Sequence, residues 1–167
     1  MRFLLLLLLA CTGVVLAQAD NDFSLNDGKI RFRVPAAWTA IMEKSDGNPQ
    51  AIVFQVPDPA ASGTEDTATI TVKTRQLNSP ADFAEAMQNE LLLSKAQSGY
   101  ESVTADGNVH RYFVLRGKTR YEVRDRFVLI GTIAAQVRCQ RPLLAATSKE
   151  WTSTWDSGCS RVSASVQ

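Results

Sequence analysis

Two cysteines, Cys139 and Cys159, are the only ones beyond the first nineteen residues, and their setting constrains the fold most. Phe127-Val128-Leu129-Ile130 reads as an apolar strand, followed by a turn at Gly131-Thr132. A second strand runs from Ile133 to Arg138 and ends at Cys139, and Pro142 breaks the sheet. A last helix begins near Thr147, with Thr147 and Glu150 in capping-box spacing. Within it Trp151, Trp155, Cys159 and Val162 recur on one inward stripe. A Cys139–Cys159 bridge would therefore fasten the final strand to the final helix.

The N-terminus predicts which chemistry those thiols meet. Arg2 supplies a positive charge, Leu4 to Leu9 form an apolar run that continues less purely to Leu16, and Ala17-Gln18-Ala19 is a small-x-small cleavage site. The run is too short to cross a bilayer, which needs about 20 apolar residues. Residues 1–19 thus read as a signal peptide and residues 20–167 as a single mature domain, periplasmic or secreted. The alternative is lipoprotein processing: Leu8-Leu9-Ala10-Cys11 resembles a lipobox, with Cys11 as the lipidated residue and the product a membrane-anchored lipoprotein. In an exported chain an even pair of cysteines favours a disulfide over metal or redox chemistry, the alternative being two buried free thiols. Closing a loop of about 20 residues would stabilise the fold by roughly 3 kcal/mol through the unfolded state.

Most of the remaining chain reads as strands. Asp20 to Asp27 is polar and acidic, a flexible lead-in. Ile30, Phe32 and Val34 alternate with Arg31 and Arg33 as one half-buried strand, ended by Pro35. Trp38 to Met42 opens another, closed by the turn Ser45-Asp46-Gly47-Asn48, and Ala51–Val56 is a third. Residues 57–66 are rich in Pro, Ala, Ser and Gly and read as a mobile loop before the strand from Thr67 to Leu77. Ser79-Pro80-Ala81-Asp82 starts a helix whose stripe of Phe83, Met87 and Leu91 reads as core. Beyond Gly99, strands at Tyr100–Ala105 and Val109–Arg116 meet at the hairpin signal Asp106-Gly107-Asn108, and Thr119–Ile130 is one long or two shorter strands. Hairpin signals imply antiparallel pairing, so the class is α+β: a mostly antiparallel sheet flanked by two main helices.

The chain resembles the PsbP-like/DcrB-like superfamily of small exported proteins. Three segments carry the resemblance: Ile30-Arg31-Phe32-Arg33-Val34 running into Pro35-Ala36-Ala37-Trp38, the helix opened by Ser79-Pro80-Ala81-Asp82-Phe83, and the Trp-bearing last helix ending Arg161 to Val166. It covers nearly all of the mature chain. It implies a PsbP-like α/β sandwich and a non-enzymatic accessory or binding role, with no family-wide catalytic residue to carry over.

Direct readings of chemistry point the same way. His110 is the only histidine, and there is no Gly-x-Ser-x-Gly elbow, no His/Cys cluster at zinc spacing and no phosphate-binding glycine loop. Asp20 and Asp22 could open a calcium loop, but Leu25 falls where such a loop needs Gly and Arg31 where it needs Glu. No cofactor, metal or catalytic residue is expected. A net charge of +1 gives no bulk attraction to nucleic acid. Charge is uneven along the chain, however. Arg116, Lys118, Arg120, Arg124 and Arg126 are spaced to share one sheet face, with only Glu122 and Asp125 between them. That stripe is either a docking surface for an acidic partner or a solvated face with cross-strand pairs such as Glu122 with Arg or Lys.

These features suit a small exported binding or accessory protein with a protein partner in the envelope. An immunity protein that neutralises a toxin delivered between bacteria is the narrower alternative, and an envelope hydrolase using His110 the more distant one. The intact mass of the native protein is expected to correspond to a chain starting at Asp20, less two hydrogens for the oxidised cysteines. A diacyl or triacyl adduct on Cys11 would instead establish lipoprotein processing.

Overall fold

A computed structural model describes residues 19–167. Cys11 and the expected leader up to Gln18 lie outside the described residues. The elements among those residues are β1 (Asp20–Leu25), β2 (Ile30–Pro35), β3 (Thr39–Lys44), β4 (Gln50–Val56), β5 (Ala68–Gln76), α1 (Phe83–Lys95), β6 (Glu101–Asp106), β7 (Val109–Arg116), β8 (Thr119–Ile130), β9 (Ile133–Pro142) and α2 (Lys149–Ser165). Strands β3 to β9 form one antiparallel sheet in the order β3-β4-β5-β9-β8-β7-β6, and β1 and β2 form a separate hairpin. This is the α+β class read from the sequence, a mostly antiparallel sheet flanked by two main helices.

The period-two patterns decide which side is core. Ile52 and Phe54 on β4, Ile70 and Val72 on β5, and Ala135, Val137 and Cys139 on β9 all lie on one sheet face and are buried. Across from them sit Ile30, Phe32 and Val34 of β2 and Trp155, Cys159 and Val162 of α2, which complete the main core. The expected disulfide is formed: Cys139 Sγ meets Cys159 Sγ at 2.03 Å, with the Cα atoms 6.0 Å apart. The backbone of Gln167 exchanges hydrogen bonds of 2.8 and 3.0 Å with Arg31, so the residues after α2 extend along β2. On the opposite face α1 covers part of the sheet, and a smaller cluster of Tyr112, Val114, Tyr121 and Val123 lies beside it.

Several expectations needed correction. Asp20–Leu25 is a strand, not a flexible lead-in. Its turn, Asn26-Asp27-Gly28, is left-handed at all three residues, and Phe23 packs on Phe32 and Phe54 at ring distances of 5.9 and 4.8 Å. A single aromatic anchor and a full backbone ladder thus order an otherwise polar segment. The 57–66 loop is pinned rather than mobile. Trp151 Nε1 donates to the Pro57 carbonyl at 2.6 Å, and Asp66 accepts from Thr119 Oγ1 at 2.8 Å and from the Tyr121 hydroxyl at 3.0 Å. Burial and the Asp66 contact both raise the Tyr121 pKa, so the phenol stays protonated as the donor. Strand β9 continues past Cys139 to Pro142, because β8 offers partners along that whole length. Helix α2 is capped by Ser148, whose Oγ accepts from Trp151 N at 3.1 Å, while Thr147 donates to Asp58 at 3.3 Å.

Both outer strands of the sheet, β3 and β6, are exposed throughout, and each carries a register shift, at Ala40/Met42 and at Ser102/Thr104.

Two substitutions test this packing. Replacing both cysteines by Ala should lower unfolding free energy by about 3 kcal/mol, from the loop length of 20 residues, measured by urea denaturation without reductant. Gly158→Ala sets two effects against each other. A mid-helix Ala gains about 1 kcal/mol over Gly. Its Cβ, however, would fall inside the ring envelope of buried Trp38, and such overpacking costs about 1–3 kcal/mol. The variant is expected to be less stable than the native chain, and a higher urea midpoint would show that Trp38 does not rest on this glycine.

Candidate functional site

The basic run folds into two clusters on opposite faces of the sheet. The turn between β7 and β8 pairs Arg116 with Thr119 and Leu115 with Arg120, so every cross-strand pair joins an even-numbered residue to an odd-numbered one. Even positions of β8 therefore share a face with odd positions of β7. Arg120, Arg124 and Arg126 lie on the α2 side together with Arg111, which the expected stripe had left out. Arg116 lies on the other side, with its guanidinium 4.8 Å from the Tyr121 ring centroid and 2.7 Å from Gln140 Oε1. Lys118 occupies the turn itself. The expected single-face stripe of Arg116, Lys118, Arg120, Arg124 and Arg126 is thus divided, because spacing by two does not carry across a two-residue turn.

On the α2 side the cluster is organised by Glu122, whose side chain is only 1% exposed. Its carboxylate accepts from Arg111 Nε at 2.7 Å, from Arg124 at 2.8 Å and from Arg141 Nη2 at 2.8 Å. Burial pushes the Glu122 pKa up, but Arg124, Arg141 and Arg111 together hold it below the ordinary carboxylate value. Arg124 also reaches Asp156 of α2 at 2.7 Å, and Arg124 and Arg141 lie over the Trp155 ring at 4.9 and 5.2 Å. These contacts hold α2 over β9 and the inner half of β8. Toward β7 they give way to a groove that Val109 lines with Cys159, Ser160 and Ser163 of α2; Val109 and Leu115 are 42% and 41% exposed, and Phe113 is half-buried beneath Arg120 at 4.0 Å. Arg120 also pairs with Glu101 at 2.6 Å, and Arg126 has no ion-pair partner among the described residues. The bare half of this face is therefore arginine-rich and apolar at once.

On the other face α1 rests on polar groups. The expected core stripe of Phe83, Met87 and Leu91 is only half-buried, and the deepest α1 residues are Glu90 and Ser94. Glu90 meets Lys73 at 2.6 Å, and Ser94 Oγ lies 2.9 Å from the Tyr112 hydroxyl and 3.2 Å from Arg138 Nη2. Tyr112 donates to Asp125 at 3.0 Å, and Arg138 donates to both oxygens of Asp125 at 2.8 and 2.9 Å. Burial, then the Asp125 charge, raises the Tyr112 pKa, which keeps the phenol neutral. Burial opposes the charge on Arg138, yet its bonds to Asp125 raise its pKa and keep it ionised.

His110 lies on this same face, buried, with its ring 5.6 Å from that of Phe127 and Nδ1 without a partner. Asp125, its cross-strand neighbour, is already committed to Arg138 and Tyr112, so it does not orient the imidazole as a catalytic carboxylate would. Among the described residues no group of three or more His, Cys, Asp or Glu side chains is placed to hold a metal ion, and no helix is long and apolar enough to cross a membrane.

The cross-strand pairing of Glu122 with arginine, read from the sequence as the alternative to a docking stripe, is present with Arg111 and Arg141, but on a buried centre and not a solvated face. Glu122 and Asp125 are the only acidic residues within the basic run, and each proves to be the buried centre of its own face. A lone carboxylate amid arginines on a strand with apolar neighbours was the available signal.

No protein-family model matches this chain, and no curated protein matches it. Among solved structures it is similar to LpqN of Mycobacterium tuberculosis, described as involved in cell envelope biogenesis. The identity is 15% over 89% of this chain and 90% of that one, with a TM-score of 0.53. A Bacteroides thetaiotaomicron protein matches at 15% identity and TM-score 0.49 over 90% of this chain but 48% of its own, so the present chain spans about half its length. Cyanobacterial PsbP (CyanoP) of Synechocystis sp. PCC 6803 matches at 14% identity and TM-score 0.44 over 95% of this chain and 98% of that one. At these identities the likeness is one of fold.

Glu122→Ala is expected to cost about 3 kcal/mol, the low end for breaking a buried pair, because it leaves three arginines facing one another that are still partly solvated. The native chain should show the matching pH dependence. A carboxyl held below its unfolded value contributes stability that is fully present above about 4.5, the ordinary value, and is lost as pH falls through the lowered folded-state pKa. Urea midpoints between neutral pH and pH 3 should fall less steeply in Glu122→Ala than in the native chain. Parallel slopes would remove Glu122 from this role.

Proposed function

We propose that this chain is an exported, non-enzymatic binding or accessory protein of the cell envelope that docks an acidic surface of a protein partner on the bare half of its sheet. One observation carries the proposal: β7 and β8 present Arg111, Arg120 and Arg126 around exposed Val109 and Leu115 and half-buried Phe113, at and past the margin of α2. Arginine interleaved with apolar side chains suits the centre of a protein interface. The guanidinium loses less on desolvation than an ammonium, and its fork pairs carboxylates bidentately. Export is supported by the leader-like first nineteen residues and by the disulfide, which belongs to an oxidising compartment. The envelope setting is that of LpqN, which shares the fold.

The test is a cross-linked pull-down of the tagged mature protein from its native envelope, read by mass spectrometry. The native chain is expected to capture one stoichiometric protein, and added salt should weaken the capture. A chain carrying both Arg120→Glu and Arg126→Glu should lose it, with its urea midpoint lowered only by the small amount that losing the exposed Arg120–Glu101 pair costs. Full capture by that variant would place the contact elsewhere, and no partner above background would overturn the binding role.

A further inference from the structure

The groove at the margin of α2 has a volume of about 240 Å³. Val109 of β7 and Arg126 of β8 line its sheet side, and Cys159, Ser160 and Ser163 line its helix side. The Cys139–Cys159 bridge draws α2 onto β9, so Arg126 and its cross-strand neighbour Val109 lie beside the helix. The helix residues along that flank are small, and the angle between helix and sheet stays open.

Positive charge on this side is in excess. Arg111, Arg124 and Arg141 divide Glu122 and Asp156 among them, and Arg126 has no ion-pair partner among the described residues. Asp125 also borders the groove, but its carboxylate is bound by Arg138 and Tyr112 on the opposite face. Asp106, across from Val109 on β6, is two strands from Arg126 and sets a negative charge on the far rim. A positive potential along β8 and α2, with a negative one beyond β7, favours a carboxylate at one place on this face. A flat partner surface would span the groove without filling it, whereas a protruding chain segment enters it.

We propose that the groove receives a protruding acidic segment of the protein partner. One Asp or Glu carboxylate of that segment pairs with Arg126, and its backbone lies between Val109 and Ser160. This rests on the docking role proposed above and narrows it to one point of entry beside α2.

An acetylated hexaglutamate peptide is the probe, titrated into the isotopically labelled mature chain and followed by NMR, with hexaglutamine as the uncharged control. Saturable shifts are expected at the Val109 methyls and at the Ser160 and Ser163 amides, with hexaglutamine weaker by about tenfold or more. Arg126→Gln should weaken hexaglutamate by a similar factor of about ten. Lys29→Gln, which removes one exposed charge outside the groove, should change it by less than about twofold. Ser160→Trp, which fills the groove from an exposed helix position, should abolish the shifts and keep the urea midpoint. Were that variant less stable, the Arg126→Gln comparison decides alone. No saturation at millimolar hexaglutamate overturns the proposal, as do equal losses for Arg126→Gln and Lys29→Gln, or shifts that survive Ser160→Trp. The pull-down separates the groove from the docking role. Full capture of the partner by the Ser160→Trp chain overturns the groove and leaves the docking face standing.

Discussion

Strand β9 joins the two halves of this molecule. On one side it bonds to β5 and so to the β3-β4-β5 meander; on the other it bonds to β8 and the β8-β7-β6 meander. Neither three-stranded half covers its own apolar face, and the central ladder is what makes one sheet of them. β9 is also the last strand in sequence, so the β5 partnership spans some 60 residues of chain. That contact carries a large loop-closure cost, which a late, long ladder on both sides must offset. The Cys139–Cys159 bridge acts at this point in the architecture: it ties the joining strand to the helix that closes the core over it.

The two faces of that sheet solve burial differently. Under β2 and most of α2 the interface is apolar, with Trp155, Val162, Phe32 and Phe54 in contact over Ile70, Val72 and Val137, and the Glu122–arginine cluster lies at its β8 margin. Under α1 the deepest groups are Glu90, Ser94, Tyr112, Asp125 and Arg138, satisfied almost entirely by one another. The first arrangement gains stability from area removed from water. The second gives geometric definition, because each group has its partners at fixed positions, and gains little net energy from burial.

What the sequence made legible followed from local rules. Alternation placed Ile30, Phe32 and Val34 on the core side, Ser79 and Pro80 marked the approach to α1, and the spacing of Trp155, Cys159 and Val162 put the last helix and its cysteine inward. Most of the failures were non-local. β1 is polar in sequence and is ordered by the edge of β2 and by Phe23. The 57–66 loop is fixed by Trp151 and Tyr121, which lie far along the chain. The basic stripe divided because a turn reverses which parity faces which side. Glu122 was legible as a partner for arginine, but its place as a buried centre depends on Arg111 and Arg141, brought beside it from the neighbouring strands.

The bulged outer strands bear on how anything can attach. An unpaired strand edge is a template on which a foreign strand can continue the ladder, and that is the common route to fibres and to strand-swapped assemblies. Here the register slips by one residue within each outer strand, at Ile41 and at Val103, so the outward N–H and C=O groups fall out of step partway along. An incoming strand could match only a few residues on either edge before losing phase. The sheet is closed to growth by hydrogen bonding at both ends, and recognition is left to its side chains.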